Sequence, residues 1–201
     1  MTFTQRVLDS IKYGATVYKS VFLDFEYLIY SPDFTVNPYY IIHAYEDNYA
    51  HLTGVNSLIP AKDFFLKCYD GTIKESDFNF IKGRKSEKST KGSVREKIIS
   101  LPEISSFFTT NLQAEEDFAK GKVHCHLATA DNKITIGFSN ANKAVPQTLL
   151  RRNQLNFNKT VNVALVLRRN KDSDKFDTII QGDISGFAST FPGLIDEKIL
   201  F

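Results

Sequence analysis

The sequence predicts an α+β fold in which N-terminal helices and a β-hairpin pack on a four-stranded antiparallel sheet. Apolar residues recur at helical spacing near the N-terminus, whereas alternating apolar and polar residues fill several short runs in the C-terminal half. The chain has 201 residues, of which 42% are hydrophobic and 24% charged, as is typical of a globular protein. No Pro- or Gly-rich linker divides it, so we expect one domain over residues 1–201.

The first third of the chain supplies the predicted helices and hairpin. From Thr2 to about Ser20, one helical face is apolar, comprising Val7, Leu8, Ile11, Ala15 and Tyr18. Strand-like runs at 21–30 and 39–45 are separated by turn residues, which predicts a hairpin. A second, Phe-rich helix is predicted over 61–69 and should end near Gly71.

The middle of the chain changes character. Residues 82–97 are rich in Lys and Arg, with Gly and Ser between them, and predict a mobile loop, after which a helical pattern resumes at about 94–100. We expect 82–92 to be poorly ordered without a ligand. A short helix should begin at Pro102.

The C-terminal half predicts a meander of four strands at 123–130, 133–139, 161–168 and 176–180, interrupted by a helical turn at 146–153. Asp131-Asn132 suits the first turn. Alternation places Val123, Cys125 and Leu127 on the core face and leaves His124 and His126 on a polar face.

Several functional classes are excluded by missing motifs. The sequence has no Walker-type phosphate loop, GxGxxG, HExxH or GxSxG. Cys68 and Cys125 fit no metal spacing or disulfide framework and predict reduced core thiols. No apolar run is long enough to span a membrane and no secretory leader is recognisable, which predicts a cytoplasmic protein without a membrane partner.

Two segments carry candidate catalytic chemistry. His51 stands beside Thr53 and Gly54 at an element boundary, where it could move protons near neutral pH; the alternative is a packing or capping histidine. Thr148 and Arg151 lie three residues apart in the predicted helical turn, so a hydroxyl and a guanidinium could bind one phosphate. The alternative is a solvated surface helix.

Two further segments could contact RNA. His124 and His126 would lie about 7 Å apart on one strand face, as an acid–base pair, as RNA contacts or as a half-exposed surface. No partner residues complete a zinc site with them. The other candidates are the basic residues Lys85, Lys88, Lys91 and Arg152, which could guide a polyanion or be solvated.

Six short runs occur in an order that resembles one nuclease family. They are YII at 40–42, HLTG at 51–54, DFFLKC at 63–68, KIISLP at 97–102, IGF at 136–138 and VPQTLL at 145–150. This arrangement resembles the phage-associated branch of the barnase–EndoU–colicin–RelE-like nuclease superfamily, in its fourth phage subgroup, over about residues 24–182. The resemblance implies helices packed on a four-stranded sheet and a ribonuclease that needs no metal and no cofactor.

The resemblance assigns catalysis to His51 and Thr148, and chemistry adds Arg151 and Lys67. It implies a toxin-like endoribonuclease of a phage or mobile element, with RNA as partner. A non-catalytic module that binds RNA or protein on the same fold is the alternative. The tail at 184–201 is apolar enough to form a homodimer, to bind an inhibitor protein or to dock on its own core.

Overall fold

The computed structural model describes residues 1–84, 86–140 and 143–200, and it confirms the mixed α+β class. The α-helices are α1 (Phe3–Tyr18), α2 (Tyr49–Thr53), α3 (Ala61–Tyr69), α4 (Glu87–Ser100) and α5 (Ser185–Thr190). The strands are β1 (Phe25–Tyr30), β2 (Tyr40–Ile42), β3 (Asn56–Ser57), β4 (Phe78–Asn79), β5 (Gln113–Lys120), β6 (Val123–Ala130), β7 (Ile134–Asn140), β8 (Ala144–Arg151), β9 (Val161–Asn162), β10 (Leu165–Asn170) and β11 (Thr178–Gly182). A 3-10 segment, Leu101–Thr109, occupies the place of the helix expected at Pro102.

Within the described residues the main sheet has nine strands, so the predicted four-stranded sheet is wrong. Its order is β11-β10-β1-β2-β8-β7-β6-β5-β9, while β3 and β4 pair separately. The predicted hairpin exists as β1 and β2, but it joins the main sheet instead of packing on it, because β2 pairs with β8 through Ile42 and Ala144. That pairing is parallel, and the other strand pairs that the structure describes in this sheet are antiparallel.

The sheet curls until its two ends approach each other. β9 lies at the β5 edge and β10 lies beside β1, yet only residues 163 and 164 separate them. The Val163 N–H donates to the Leu112 carbonyl, and the next N–H, of Ala164, donates to the Tyr30 carbonyl. These consecutive hydrogen bonds connect the β5 end of the sheet with β1 near its other end. The single strand predicted over 161–168 is therefore two strands, β9 and β10.

α1 forms as predicted and organises the main core. All five residues of its predicted apolar face are buried. Gly14 allows close packing, because a Cβ there would lie 2.8 Å from the Tyr49 hydroxyl and 2.9 Å from a Leu101 methyl group. The Tyr49 hydroxyl donates to the Ile11 carbonyl at 2.5 Å, and this contact holds α2 against α1.

The C-terminal tail docks on its own sheet. Phe187 and Ile195 are each 1% exposed and pack with Leu28, Leu165 and Phe176 in a second hydrophobic cluster. β1 is therefore buried on both faces, with Leu28 in this cluster and its neighbour Ile29 in the main core. Phe201 lies outside the described residues, and a homodimer or an inhibitor remains a prediction.

Two strands of the main sheet were missed because their sequences mislead. β8 occupies most of the segment predicted as a helical turn at 146–153; it pairs with β7 and carries a bulge at Gln147, where Phe138 pairs with Pro146 and Gly137 with Thr148. β5 contains three acidic residues and showed no strand pattern. Two of them accept main-chain N–H groups of neighbouring loops: Glu115 from Asn156, and Glu116 from Val36 among others.

The predicted mobile loop at 82–97 is also wrong over most of its length. α4 begins at Glu87, capped by the Ser86 hydroxyl, which accepts the Ser89 N–H. Thr90 and Val94 are buried, which anchors the helix although most of its surface is charged.

The predicted β6 faces need correction too. Leu127 lies in the main core, whereas Val123 and Cys125 pack with Phe118 in a smaller cluster. Cys68 and Cys125 are free and buried as expected, and burial raises the pKa of Cys125 to about 11. Among the described residues, no helix combines the length and apolar character needed to cross a membrane.

Candidate nuclease site

One large cleft lies where α2 and α4 cover the sheet at β8 and the β5–β6 hairpin. Its volume is about 740 Å³. We call it the basic cleft, and it is lined by His51, Gly54, Lys82, Thr90, Ser93, Glu96, Lys97, Lys120, Lys122, Val123, His124, Gln147, Thr148, Leu149, Leu150, Arg151 and Gln154. Three predicted catalytic residues, His51, Thr148 and Arg151, therefore meet in one place although about a hundred residues separate the first from the other two.

The HLTG run explains how His51 reaches the basic cleft. Leu52 and Thr53 are fully buried and fix the end of α2, while the exposed His51 side chain lies on the cleft side. Gly54 then adopts a left-handed conformation with φ of 76°. A Cβ at Gly54 would lie 2.7 Å from Cδ of Lys97, so glycine allows this lysine to cross the end of α2. Lys97 Nζ donates to the His51 carbonyl at 2.7 Å and connects α4 to the histidine.

Thr148 forms part of the floor of the basic cleft. Thr148 is 7% exposed and pairs with Gly137 of β7. A Cβ at Gly137 would lie 2.9 Å from the Thr148 methyl group and 2.5 Å from Sγ of Cys125, so the absence of a side chain at 137 sets the position of Thr148. In the part of the chain that the structure describes, the Thr148 hydroxyl and the His51 ring have no hydrogen-bond partner, and both remain available to a ligand.

Positive charge dominates the walls. The lining includes Lys82, Lys97, Lys120, Lys122 and Arg151. Glu96 is the one carboxylate among the described lining residues, and it accepts a hydrogen bond from Nη1 of Arg151 at 3.2 Å. Such an arrangement favours a polyanion, because five cationic side chains line the cleft against one carboxylate.

Burial and nearby charges also determine the protonation state of His51. Partial burial lowers the pKa of His51, and the positive charges of Lys82 and Lys97 lower it further. The imidazole is therefore neutral at pH 7 and can accept a proton.

A shallower groove continues from the basic cleft past His124 and Gln147, which line both. This side groove has a volume of about 460 Å³ and is lined by Asp117, Phe118, His124, Cys125, His126, Ser139 and Gln147. His126 belongs to the side groove alone. Its Nε2 lies 3.0 Å from the Asn37 amide nitrogen, and its ring packs edge-on against Tyr40.

Other predicted site residues lie elsewhere. Lys67 on α3 does not line the basic cleft; its Nζ donates to Asp77 Oδ1 at 3.1 Å. Lys91 is on another face of α4, where it pairs with Glu87 at 2.7 Å and lies over the Phe80 ring.

Three further residues were predicted to contact RNA. Lys88 and Arg152 are exposed and are not lining residues of the basic cleft. Lys85 lies outside the described residues.

Sequence reasoning missed Lys120, Lys122, Gln147 and Gln154. The two lysines flank Gly121 at the β5–β6 turn, where Gly121 has φ of 60°. Lys120 also donates to the Gln154 side chain, which holds the loop after β8 at the cleft. The Lys-Gly-Lys run was visible, but its placement depends on a strand that the sequence did not reveal.

A separate charged cluster surrounds Glu26, which is 2% exposed. Its carboxylate accepts hydrogen bonds from Lys143 at 2.7 Å and from Arg169 Nε at 2.9 Å, and it contacts His43 Nδ1. Burial alone would raise the pKa of Glu26, but these hydrogen bonds outweigh it and the pKa lies below its usual value. The cluster connects β1 and β10 to the end of β2, where His43 lies, and to the start of β8, which Lys143 precedes, and we interpret it as structural.

No group of three or more His, Cys, Asp or Glu side chains within residues 1–84, 86–140 and 143–200 is arranged to hold a metal ion.

Comparison with known proteins identifies a family. A family model described as phage-Barnase-EndoU-ColicinE5/D-RelE like nuclease 4 matches residues 10–185. The matched region includes the C-terminal half of α1 and every strand of the main sheet. Searches of curated proteins and of solved structures found no match.

Proposed function

Because the chain belongs to the phage-Barnase-EndoU-ColicinE5/D-RelE like nuclease 4 family, we propose that it is an endoribonuclease that cuts RNA in the basic cleft without a metal ion. The observation that carries this proposal is the meeting of His51, Thr148 and Arg151 with four lysines in one cleft. A toxin-like role for a phage or mobile element is part of the same proposal.

The proposed reaction is attack by the ribose 2′-oxygen on the adjacent phosphorus. Neutral His51 takes the 2′-hydroxyl proton, the 2′-oxygen forms a bond to phosphorus, and the bond from phosphorus to the 5′-oxygen breaks. We assign protonation of the leaving 5′-oxygen to His124, the other histidine lining the basic cleft. The products are a 2′,3′-cyclic phosphate and a 5′-hydroxyl.

The remaining residues would stabilise the developing charge. The Thr148 hydroxyl can donate to a phosphoryl oxygen, and Arg151 can offer two N–H groups once its single bond to Glu96 is exchanged for the phosphate. The surrounding lysines reduce the repulsion between the attacking oxygen and the anionic phosphodiester, and they hold neighbouring phosphates.

Cleavage of a labelled RNA in excess EDTA tests the proposal. Wild-type protein should cut, and His51→Ala should cut about 10²–10⁴ times more slowly. Lys67→Ala is the matched control, because Lys67 lies outside the basic cleft, and it should keep the wild-type rate. Activity that disappears in EDTA and returns with zinc or magnesium would reject the metal-free mechanism. Tight RNA binding without any cutting would favour the non-catalytic module.

A further inference from the structure

Phe157 is the most exposed large apolar side chain in the described residues, at 92%. It lies in the loop between β8 and β9, three residues after Gln154 of the basic cleft. Three residues span at most about 10 Å, so the ring is near the rim of the cleft. Single exposed apolar residues are common on protein surfaces, so the placement matters more than the exposure.

The turn that carries Phe157 is held without help from the ring. The Asn156 N–H donates at 2.7 Å to Glu115, a carboxylate that is 2% exposed. The Asn156 carbonyl accepts the Lys159 N–H at 2.9 Å and the Thr160 hydroxyl at 2.8 Å. Leu155 anchors the start of the turn in the cluster of Phe118 and Cys125. The phenyl ring is thus presented to solvent by a well-bonded turn and contributes no packing.

The neighbours of the ring favour a nucleic-acid ligand over a protein. Asn156 and Asn158 flank Phe157, Lys159 follows, and Lys120 contacts Gln154 at the base of the loop. An apolar protein partner would be expected to meet a wider apolar patch, whereas a flat ring beside cations suits a stacked base next to its phosphate.

We propose that Phe157 stacks on an unpaired base of the RNA, next to the phosphodiester held in the basic cleft. The inference rests on the proposed function and narrows its substrate to RNA that is single-stranded beside the cut. A duplex cannot offer such a base, because its bases are already stacked on both faces.

The protein contains no Trp, so Phe157→Trp creates a single fluorescent reporter. We would titrate it with a short 2′-O-methyl oligonucleotide, which cannot be cut, and with the same sequence in a duplex. The single strand should change the emission and the duplex should not. Tyr13→Trp, at a 54% exposed position on α1 that does not line the cleft, is the matched control and should not respond.

Phe157→Ala completes the test. It should weaken binding of the single strand by about 5- to 150-fold, raise KM for RNA and leave kcat unchanged. Equal responses to strand and duplex, or wild-type affinity in Phe157→Ala, would overturn the inference. Because the 2′-O-methyl probe is not cut, the binding and fluorescence results are independent of whether the wild-type protein cleaves RNA.

Discussion

Gly137→Ala tests how tightly the floor of the basic cleft is set. The new Cβ would lie 2.5 Å from Sγ of Cys125 and 2.9 Å from the Thr148 methyl group. Carbon contacts are optimal at about 3.5–4.0 Å, so something must move by roughly 1 Å. Overpacking of this kind costs about 1–3 kcal/mol of the free energy of unfolding. A misplacement of about 1 Å at a catalytic group can lower the rate by about 10².

Urea unfolding would measure the stability change and single-turnover cleavage would measure the rate. Gly92→Ala is the control substitution, because a Cβ at this position in α4 meets no atom within 4 Å. It should stabilise the protein by about 1 kcal/mol through helix propensity and leave the rate unchanged.

A second substitution separates the two clashes. In Gly137→Ala with Cys125→Ala the sulfur is gone, but the contact with Thr148 remains. We expect the pair to recover part of the stability while the rate stays low. Full recovery of both would show that the activity was lost only through unfolding, and a wild-type rate in Gly137→Ala alone would refute the role given to the position of Thr148.

Three further predictions address charge. Since the pKa of His51 is lowered, His51 can still act as the base below pH 6.5, and the rate of RNA cleavage should fall only at lower pH. Lys82→Met removes a positive charge, which raises the pKa of His51 and should move the acid limb of the pH–rate profile to higher pH. Glu96→Gln frees Arg151, so it should tighten RNA binding and make it more dependent on salt, as measured by titration at several ionic strengths. The pKa of Glu26 is lower in the folded protein than in the unfolded chain, so the stability that Glu26 contributes is present above the unfolded pKa and is lost as pH falls through the folded pKa. Glu26→Gln should lower the free energy of unfolding by about 3 kcal/mol at pH 7 and flatten the acid side of the stability curve, as followed by urea melts at pH 3–7.

Elements with strong local signals could be predicted from the sequence. α1 shows an uninterrupted apolar face, and α3 has the predicted bounds, 61–69. The β6–β7 turn follows from Asp131, whose carboxylate accepts the N–H groups of Lys133 and Ile134 at 2.7 Å each. In these cases the local preference of the chain agrees with its tertiary environment.

Elements that depend on distant partners could not be predicted from the sequence. The β8 residues include Leu and Arg, which favour helices, but pairing with β7 outweighs that preference. β5 is acidic, and its carboxylates become acceptable inside the fold only because loops far along the chain donate N–H groups to them. The first half of α4 was mistaken for a loop because residues 87–93 contain no apolar side chain and are anchored by the buried Thr90.

The candidate site divides in the same way. His51 and Thr148 belong to short runs that resemble the family, and the structure brings them together with Arg151. Lys67 was added on chemistry alone and lies elsewhere, paired with Asp77. Lys120 and Lys122 reach the basic cleft only through the β5–β6 hairpin, so no local pattern could have assigned them to it.

The most direct test of the proposed reaction uses a DNA oligonucleotide that contains one ribonucleotide. In EDTA, the wild-type protein should cut only on the 3′ side of that ribose, and mass spectrometry should find a 2′,3′-cyclic phosphate on one product and a 5′-hydroxyl on the other. Cutting at a deoxynucleotide, or a product with a 5′-phosphate, would contradict attack by the 2′-oxygen and with it the role assigned to His51.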